Sequence, residues 1–295
     1  MFRVRRLLAP FVLCIALLFS EAQAFTIAWL SDTQNYHNAY KPIFDGMTQW
    51  IADNRAALDI RFVFHTGDVV GSWSSEDQWR QARESMGILS SASIPFLTVC
   101  GNHDIGYRMN YANFLKYLLS LRPASMSQEY GDTGSRYELF SANGRDYIFM
   151  GIAFSNRGPG EDEVNWINGV LRQYSSRDAI IITHSYLKKS ASYTTQGKAI
   201  FEKIVKANPN VFLVLCGHCR DISYKNVQLD DDGDGDPDRT VYAILSNFQG
   251  GKAGGGGYMR ILDFRDSDIY IYTYSPYYDS CEYPKGKTEA TVPLP

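Results

Sequence analysis

The chain has almost no charge imbalance. Its 29 Lys and Arg stand against 32 Asp and Glu, a net charge of −3 at pH 7. That balance gives no electrostatic footing for nucleic acid or an anionic membrane surface. The most apolar run, Leu7 to Phe19, falls short of the roughly 20 residues a comfortable bilayer span needs. Cysteine is scarce, with 5 in 295 residues, and so is histidine, also with 5. Neither an internal repeat nor a linker-like stretch is visible.

What the first residues do contain is a targeting pattern. Arg3, Arg5 and Arg6 form a basic start, Leu7 to Phe19 an apolar core, and Ala22-Gln23-Ala24 a small-x-small cleavage site. Residues 1–24 therefore read as a signal peptide, with an uncleaved anchor as the alternative. Arg5-Arg6 lacks the flanking residues of a twin-arginine signal. The expected product is secreted or periplasmic, begins near Phe25, and keeps no stable membrane anchor. Residues 25–295 fit one domain. Cys14 leaves with the signal. Cys100 and Cys216 end strands and read as small buried thiols. Cys219 and Cys281 lie in loop-like contexts that export would permit to pair, if their Cα atoms came close enough.

Along the mature chain, apolar strands alternate with helices and then give way to strands. Strands are expected at Phe25 to Leu30, Ile60 to Phe64, Ile94 to Val99, Ala179 to Ile182 and Val211 to Leu215. Tyr137 to Phe140 and Tyr147 to Phe154, around Asn143-Gly144, predict a hairpin. Helices are expected from Lys41-Pro42, from a capping box at Ser75 and Gln78 toward Leu89, over Tyr111 to Leu119, over Glu161 to Tyr174, and over Ala199 to Val205. Beyond Tyr224 four strands follow, ending at Tyr274. This order suggests two sheets sandwiched between helices.

Chemistry-bearing residues sit where the strands end. The pieces are Ser31-Asp32-Thr33-Gln34, His65-Thr66-Gly67-Asp68, Gly101-Asn102-His103-Asp104, Thr183-His184 and Gly217-His218. Open α/β sheets place their sites at the carboxyl ends of strands. An amide oxygen, an imidazole and a carboxylate in succession at 102–104 suit a metal, a proton transfer and the orientation of the proton donor. A lone His at a strand end is commonly just a satisfied polar residue. Here His103, His184 and His218 all fall in such motifs. His65 reads as structural or as a support for the site, and His37 as surface.

This ordered set resembles the calcineurin-like metallophosphoesterases, from about Phe25 to Asp263. The resemblance implies an α/β fold, a four-layer αββα sandwich of two mixed β-sheets flanked by helices. It implies an exported enzyme that hydrolyses phosphate monoesters or diesters of a small phosphorylated substrate with a metal-activated water. It further implies two divalent cations (Mn, Fe, Zn or Mg). Asp68 would bridge them, Asp32 and Gln34 would hold the first, and Asn102, His184 and His218 the second. His103 would donate a proton to the leaving group, with Asp104 orienting it.

Two positions depart from the family pattern. Gln34 stands where His is commonest, and Arg220 stands where a final His would complete the first metal site. Gln34 still offers a carbonyl oxygen suited to hard ions. Arg220 has no acceptor, so it is expected to point into the cleft and clamp a phosphoryl group bidentately. These departures also fit a degenerate member that binds a phosphorylated ligand without turnover. Asp230 to Asp238 carries carboxylates at alternating positions with Gly at 233 and 235. It reads either as a structural Ca²⁺ loop, and hence a Ca²⁺-dependent extracellular binding module, or as a solvated acidic hairpin loop. Gly250 to Gly257 reads as a flexible loop, with Asn247 and Gln249 near the cleft.

Overall fold

A computed structural model of the protein describes residues 24–107, 109–121, 128–283 and 289–295. The expected targeting segment lies outside these residues except for Ala24, which is exposed. The strands are β1 (Phe25–Leu30), β2 (Ile60–His65), β3 (Phe96–Thr98), β4 (Gln128–Tyr130), β5 (Ser135–Ala142), β6 (Arg145–Ile152) and β7 (Asp178–Thr183), followed by β8 (Val211–Cys216), β9 (Asp221–Leu229), β10 (Arg239–Asn247), β11 (Met259–Phe264), β12 (Asp268–Tyr274) and β13 (Glu289–Pro293). The helices are α1 (Lys41–Asp53), α2 (Glu76–Ser91), α3 (Asn102–Ile105), α4 (Ala112–Tyr117), α5 (Glu161–Gln173) and α6 (Thr195–Ile200), the last running on into a π-helical turn at Phe201–Val205.

Two mixed sheets result. One has 6 strands in the order β13-β12-β11-β1-β2-β3, the other 7 in the order β4-β5-β6-β7-β8-β10-β9. Side chains alternate across a strand, so a strand buried on both faces feeds two cores. In β1, Phe25, Ile27 and Trp29 meet Tyr147, Phe149, Ile180 and Ile182 of the other sheet. Ala28 and Leu30 face the opposite way, onto Ile43, Phe44 and Met47 of α1 and Met86 and Leu89 of α2. In β6 and β7, Ile148, Met150, Ala179 and Ile181 turn out onto Ile167 and Leu171 of α5. The layers are helix, sheet, sheet, helix.

Local chemistry sets the joints. Asn143 (φ 53) and Gly144 (φ 74) make the β5–β6 turn, with both central residues in the left-handed region that the hairpin's twist requires. The Ser75 hydroxyl accepts from the Gln78 N–H at 3.4 Å and starts α2. The returning arm of the expected capping box is displaced, because Gln78 Oε1 accepts from the Ser72 N–H at 2.9 Å instead. The glycine-rich stretch is not a free loop. Gly255 to Gly257 are buried, and the Gly257 N–H donates to the Tyr36 hydroxyl at 2.8 Å.

The topology carries the site. β1, β2 and β3 are mutually parallel, and so are β6, β7 and β8. The loops after β1, β2, β3, β7 and β8 therefore come from both sheets and hold all five strand-end motifs.

Candidate active site

Three of the motif loops are bent where they present their key residue. Asp32 (φ 52), Asp68 (φ 54) and His218 (φ 72) all occupy the left-handed region, which is sparsely populated outside glycine. Such backbone costs of order 1–3 kcal/mol per residue and concentrates at functional sites. Two glycines admit the carboxylates. A Cβ on Gly101 would stand 2.2 Å from Asp68 Oδ1, and one on Gly217 would stand 2.3 Å from Asp32 Oδ2.

A buried relay fixes Asp32. Trp29 Nε1–H donates to Thr66 Oγ1 at 3.2 Å, Thr66 Oγ1–H donates to Ser31 Oγ at 2.8 Å, and the Ser31 hydroxyl donates to Asp32 Oδ2. The His218 N–H completes the set at 3.1 Å from Asp32 Oδ1. His65 is buried between the first two loops. Its Nδ1 accepts from the Gly67 N–H at 3.1 Å, so Nε2 carries the proton and donates to Thr33 Oγ1 at 3.0 Å. Burial holds His65 neutral, its pKa pushed down to about 3.

At the centre, Asp68, His184 and His218 offer ligand atoms that lie within 4.8 Å of one another. The His184 Nδ1–H donates to the Thr66 carbonyl at 2.8 Å, which turns Nε2 inward. That nitrogen faces Asp68 Oδ2 at 3.3 Å, Asn102 Oδ1 at 3.2 Å and His218 Nδ1 at 3.2 Å. Gln34 Nε2–H donates to Asp68 Oδ2 at 3.1 Å, and Gln34 Oε1 is buried with no partner. Acceptors thus outnumber protons around one point, and an orphaned amide oxygen stands beside it. Oxygen and imidazole donors crowded in this way fit divalent cations.

The titration pattern agrees. Burial pushes Asp32 up to about 7, against the pull of His184. Asp68 feels the same upward push of burial, but His184 and the His103 N–H outweigh it and hold the carboxyl below the usual range. Burial opposes a charge on His184, yet the Asp68 carboxylate raises it to about 9. Burial, with His184 charged beside it, lowers His218 to about 4. Without a cation, one imidazolium balances the buried carboxylates. A bound cation would take over that role and release the proton.

Two expected roles are corrected. Asp104 does not orient His103. Its carboxylate is buried and accepts from the N–H groups of Val69 at 2.8 Å, Val70 at 3.0 Å and Gly101 at 2.8 Å. It ties the loop after β2 to the start of α3. The partner of His103 is the Gly71 carbonyl, 3.1 Å from Nδ1. Arg220 does not clamp the cleft. It is exposed and does not line the cavity, and its Cδ lies 3.3 Å from where a Cβ on Gly250 would stand.

The cleft above the centre measures about 720 Å³. Its floor includes Asn102, His103 and His218, and among the described residues no Asp or Glu lines it. Lys188, on the loop after β7, supplies an ammonium there. Sequence reasoning missed Lys188, since a single exposed lysine carries no motif. Cys219 also lines the cleft, and the four cysteines among the described residues are free. Asn247 Nδ2–H donates to the His218 carbonyl at 3.0 Å and steadies that loop.

The acidic loop joins β9 to β10 and is exposed. Asp230, Asp232 and Asp238 bring carboxylate oxygens within 4.8 Å of one another. Several of these carboxylates are engaged by the loop itself: Asp230 accepts from Gly233 and Gly235, Asp238 from Asp231, and Asp231 pairs with Arg239 at 2.6 Å.

Comparison with known proteins agrees with this geometry. A family model described as calcineurin-like phosphoesterase matches residues 25–219. The uncharacterized protein YvnB of Bacillus subtilis (strain 168) is 41% identical over 259 residues, which is 86% of this chain and 20% of that protein. The chain thus spans about a fifth of that relative's length. Purple acid phosphatase PPD1 from yellow lupin (Lupinus luteus) seeds superposes with a TM-score of 0.60 at 13% identity, covering 92% of this chain and 55% of that one. GAP50, the anchor in the inner membrane complex of Plasmodium, does so with a TM-score of 0.59 at 14% identity, covering 92% and 89%. At such identities the likeness is one of fold. With the match running through all five motif loops, from β1 to just past His218, the chain belongs to the calcineurin-like phosphoesterase family.

Proposed function

We propose that the protein is an exported, metal-dependent hydrolase of phosphate esters. One observation carries the hydrolase reading: Asp68, Asn102, His184 and His218 crowd together beside the unpartnered Gln34 Oε1 with too few protons among them, and Asn102 and His218 also line the cleft. Asp68 would be shared between two cations, since Gln34 of one ligand set and His184 of the other both meet its Oδ2. Asp32 and Gln34 would hold the first cation, and Asn102, His184 and His218 the second. Bound divalent cations supply positive charge for the phosphoryl oxygens and acidify the attacking water. The chain's own groups do the rest. The Thr66 carbonyl holds His184 with Nε2 inward. The Gly71 carbonyl takes the His103 Nδ1–H, so the imidazolium form of His103 would present its second proton on Nε2 to the leaving oxygen and remain as the neutral ring. Lys188, which lines the same cleft, would hold the anionic group.

A second reading is favoured by Arg220, which lies outside the cavity lining and has no acceptor to offer the first cation. In that reading the protein binds a phosphorylated ligand without turnover. One experiment separates the two. Protein stripped of metal and reloaded with Mn²⁺, Fe²⁺, Zn²⁺ or Mg²⁺ is offered phosphate monoesters and diesters. Hydrolysis that appears only with metal supports the first reading, and phosphate binding without hydrolysis under any metal supports the second. In the same assay Lys188→Ala is expected to weaken inhibition by inorganic phosphate a few-fold, the scale of an exposed ion pair. Unchanged inhibition removes Lys188 from the site.

Export is supported by the basic, apolar and small-x-small order of residues 1–24. Among the described residues no helix is long and apolar enough to cross a membrane. Phe25 is buried and already paired in β1, whereas Ala24 is exposed, so cleavage between them leaves the sheet intact. Expressed whole in a bacterium, the protein is expected in the periplasm or medium as a chain starting near Phe25. Mass spectrometry that finds Met1 intact in the mature pool overturns this.

A further inference from the structure

The wall of the cleft next to His103 is aromatic, and its placement bears on the substrate. Trp73 and Tyr107 both line the cavity. They reach it from two different loops, and both loops also build the His103 position. Gly71, whose carbonyl holds the His103 ring, is two residues before Trp73. Tyr107 follows α3, the helix that carries His103.

The Trp73 platform is rigid. Its carbonyl accepts from Trp79 Nε1–H at 2.8 Å and from Asn113 Nδ2–H at 2.9 Å. Its indole edge lies flat against Gly106, where an added Cβ would stand 2.2 Å from Nε1. Gly106 has φ 61 and ψ −173, a backbone that only glycine adopts readily. The side chain that follows, Tyr107, is 101% exposed and packs on nothing. Exposure of a single ring is ordinary on a protein surface; what sets Tyr107 apart is that it lines the same cavity as Trp73 and His103.

In the hydrolase reading, on which this inference rests, His103 hands its proton to the leaving oxygen. Whatever that oxygen carries must lie on the His103 side of the cleft, against Trp73 and Tyr107. A cavity of about 720 Å³ has room for far more than a phosphate. We propose that the leaving group carries a planar aromatic ring, as a nucleoside does, and that Trp73 and Tyr107 hold it by stacking. Stacking suits this wall because every planar base offers a π-face to an aromatic side chain.

The test uses matched pairs. Adenosine 5'-monophosphate and ribose 5-phosphate share the same leaving oxygen and charge and differ by the base. Their methyl diesters form a second pair for a diesterase. The metal-loaded protein is expected to prefer the adenosine member in kcat/KM by roughly 5- to 150-fold, the range that base stacking supplies. Trp73→Leu and Tyr107→Ala should each pull that ratio toward one, and the exposure of Tyr107 makes the second variant safe for folding. Equal rates within both pairs overturn the aromatic wall and leave the hydrolase reading standing. Calorimetric binding of the same four compounds needs no turnover. A preference for the adenosine members that both variants abolish supports the wall even if no ester is cleaved, and that absence of cleavage then counts against the hydrolase reading alone. Equal affinities overturn the wall.

Discussion

Asp68→Asn is expected to strip the site of metal. Asparagine matches aspartate in shape, so the variant changes the charge and turns one acceptor oxygen into an amide donor without changing the side chain's size. The Asp68 carboxylate accepts from the His103 N–H at 2.9 Å and from Gln34 at 3.1 Å, and it faces His184 at 3.3 Å. An amide at this position can keep one acceptor, but it cannot neutralise two cations or bridge them. Elemental analysis of the purified variant should find metal reduced well below the wild-type level. Turnover should drop by roughly 10³-fold or more, since metal-centred charge stabilisation is worth several kcal/mol and each 1.36 kcal/mol is tenfold. Adding metal should raise the melting temperature of the wild type, by mass action on the folded state, and leave the variant unmoved. Wild-type metal content in Asp68→Asn would sink the shared-ligand assignment.

The fold was legible in the sequence where burial wrote a period into it. Strands such as β1 and β7 are apolar on both faces and bounded by polar loops, so their existence follows from the run alone. The Asn143-Gly144 hairpin follows from turn chemistry. The edge strands β4 and β13 carry no such run. β13 alternates exposed Glu289, Thr291 and Pro293 with half-buried or buried partners, and only its pairing with β12 defines it.

The site was legible as a set of residue types at strand ends, and illegible in its supports. Thr66, Ser31 and Trp29 form one relay, but 35 to 37 positions separate its partners along the chain. Adjacency also misled. His103 and Asp104 are neighbours in sequence, but successive residues on a helix do not face each other. His103 therefore turns out to the cleft while Asp104 turns into the core and binds three backbone N–H groups. Arg220 fails for a related reason. It is the last residue before β9 begins at Asp221, so its direction is set by that strand's start and not by the motif before it. Among the described residues, the cation that lines the cleft is Lys188, which arrives on the loop after β7, a strand of the same sheet.

His103→Ala is the counterpart of the Asp68 change, because it should separate metal from rate. The group His103 gives to Asp68 is its backbone N–H, which alanine retains. The ring is exposed on the cleft and donates to the carbonyl of Gly71, a half-buried residue, so its removal leaves no fully buried residue's group unpaired. Metal content is therefore expected to match the wild type. Loss of the proton donor should lower kcat by roughly 10²–10⁴-fold on alkyl phosphate esters, the usual range for general acid catalysis. The leaving group supplies the discriminating control. A nitrophenolate departs without needing a proton, so the deficit on a nitrophenyl ester should be far smaller than on an alkyl ester. A purely structural role predicts equal losses on both. If the two deficits are equal, or if metal leaves along with the ring, His103 is not the acid, and the aromatic wall beside it loses its link to the leaving group.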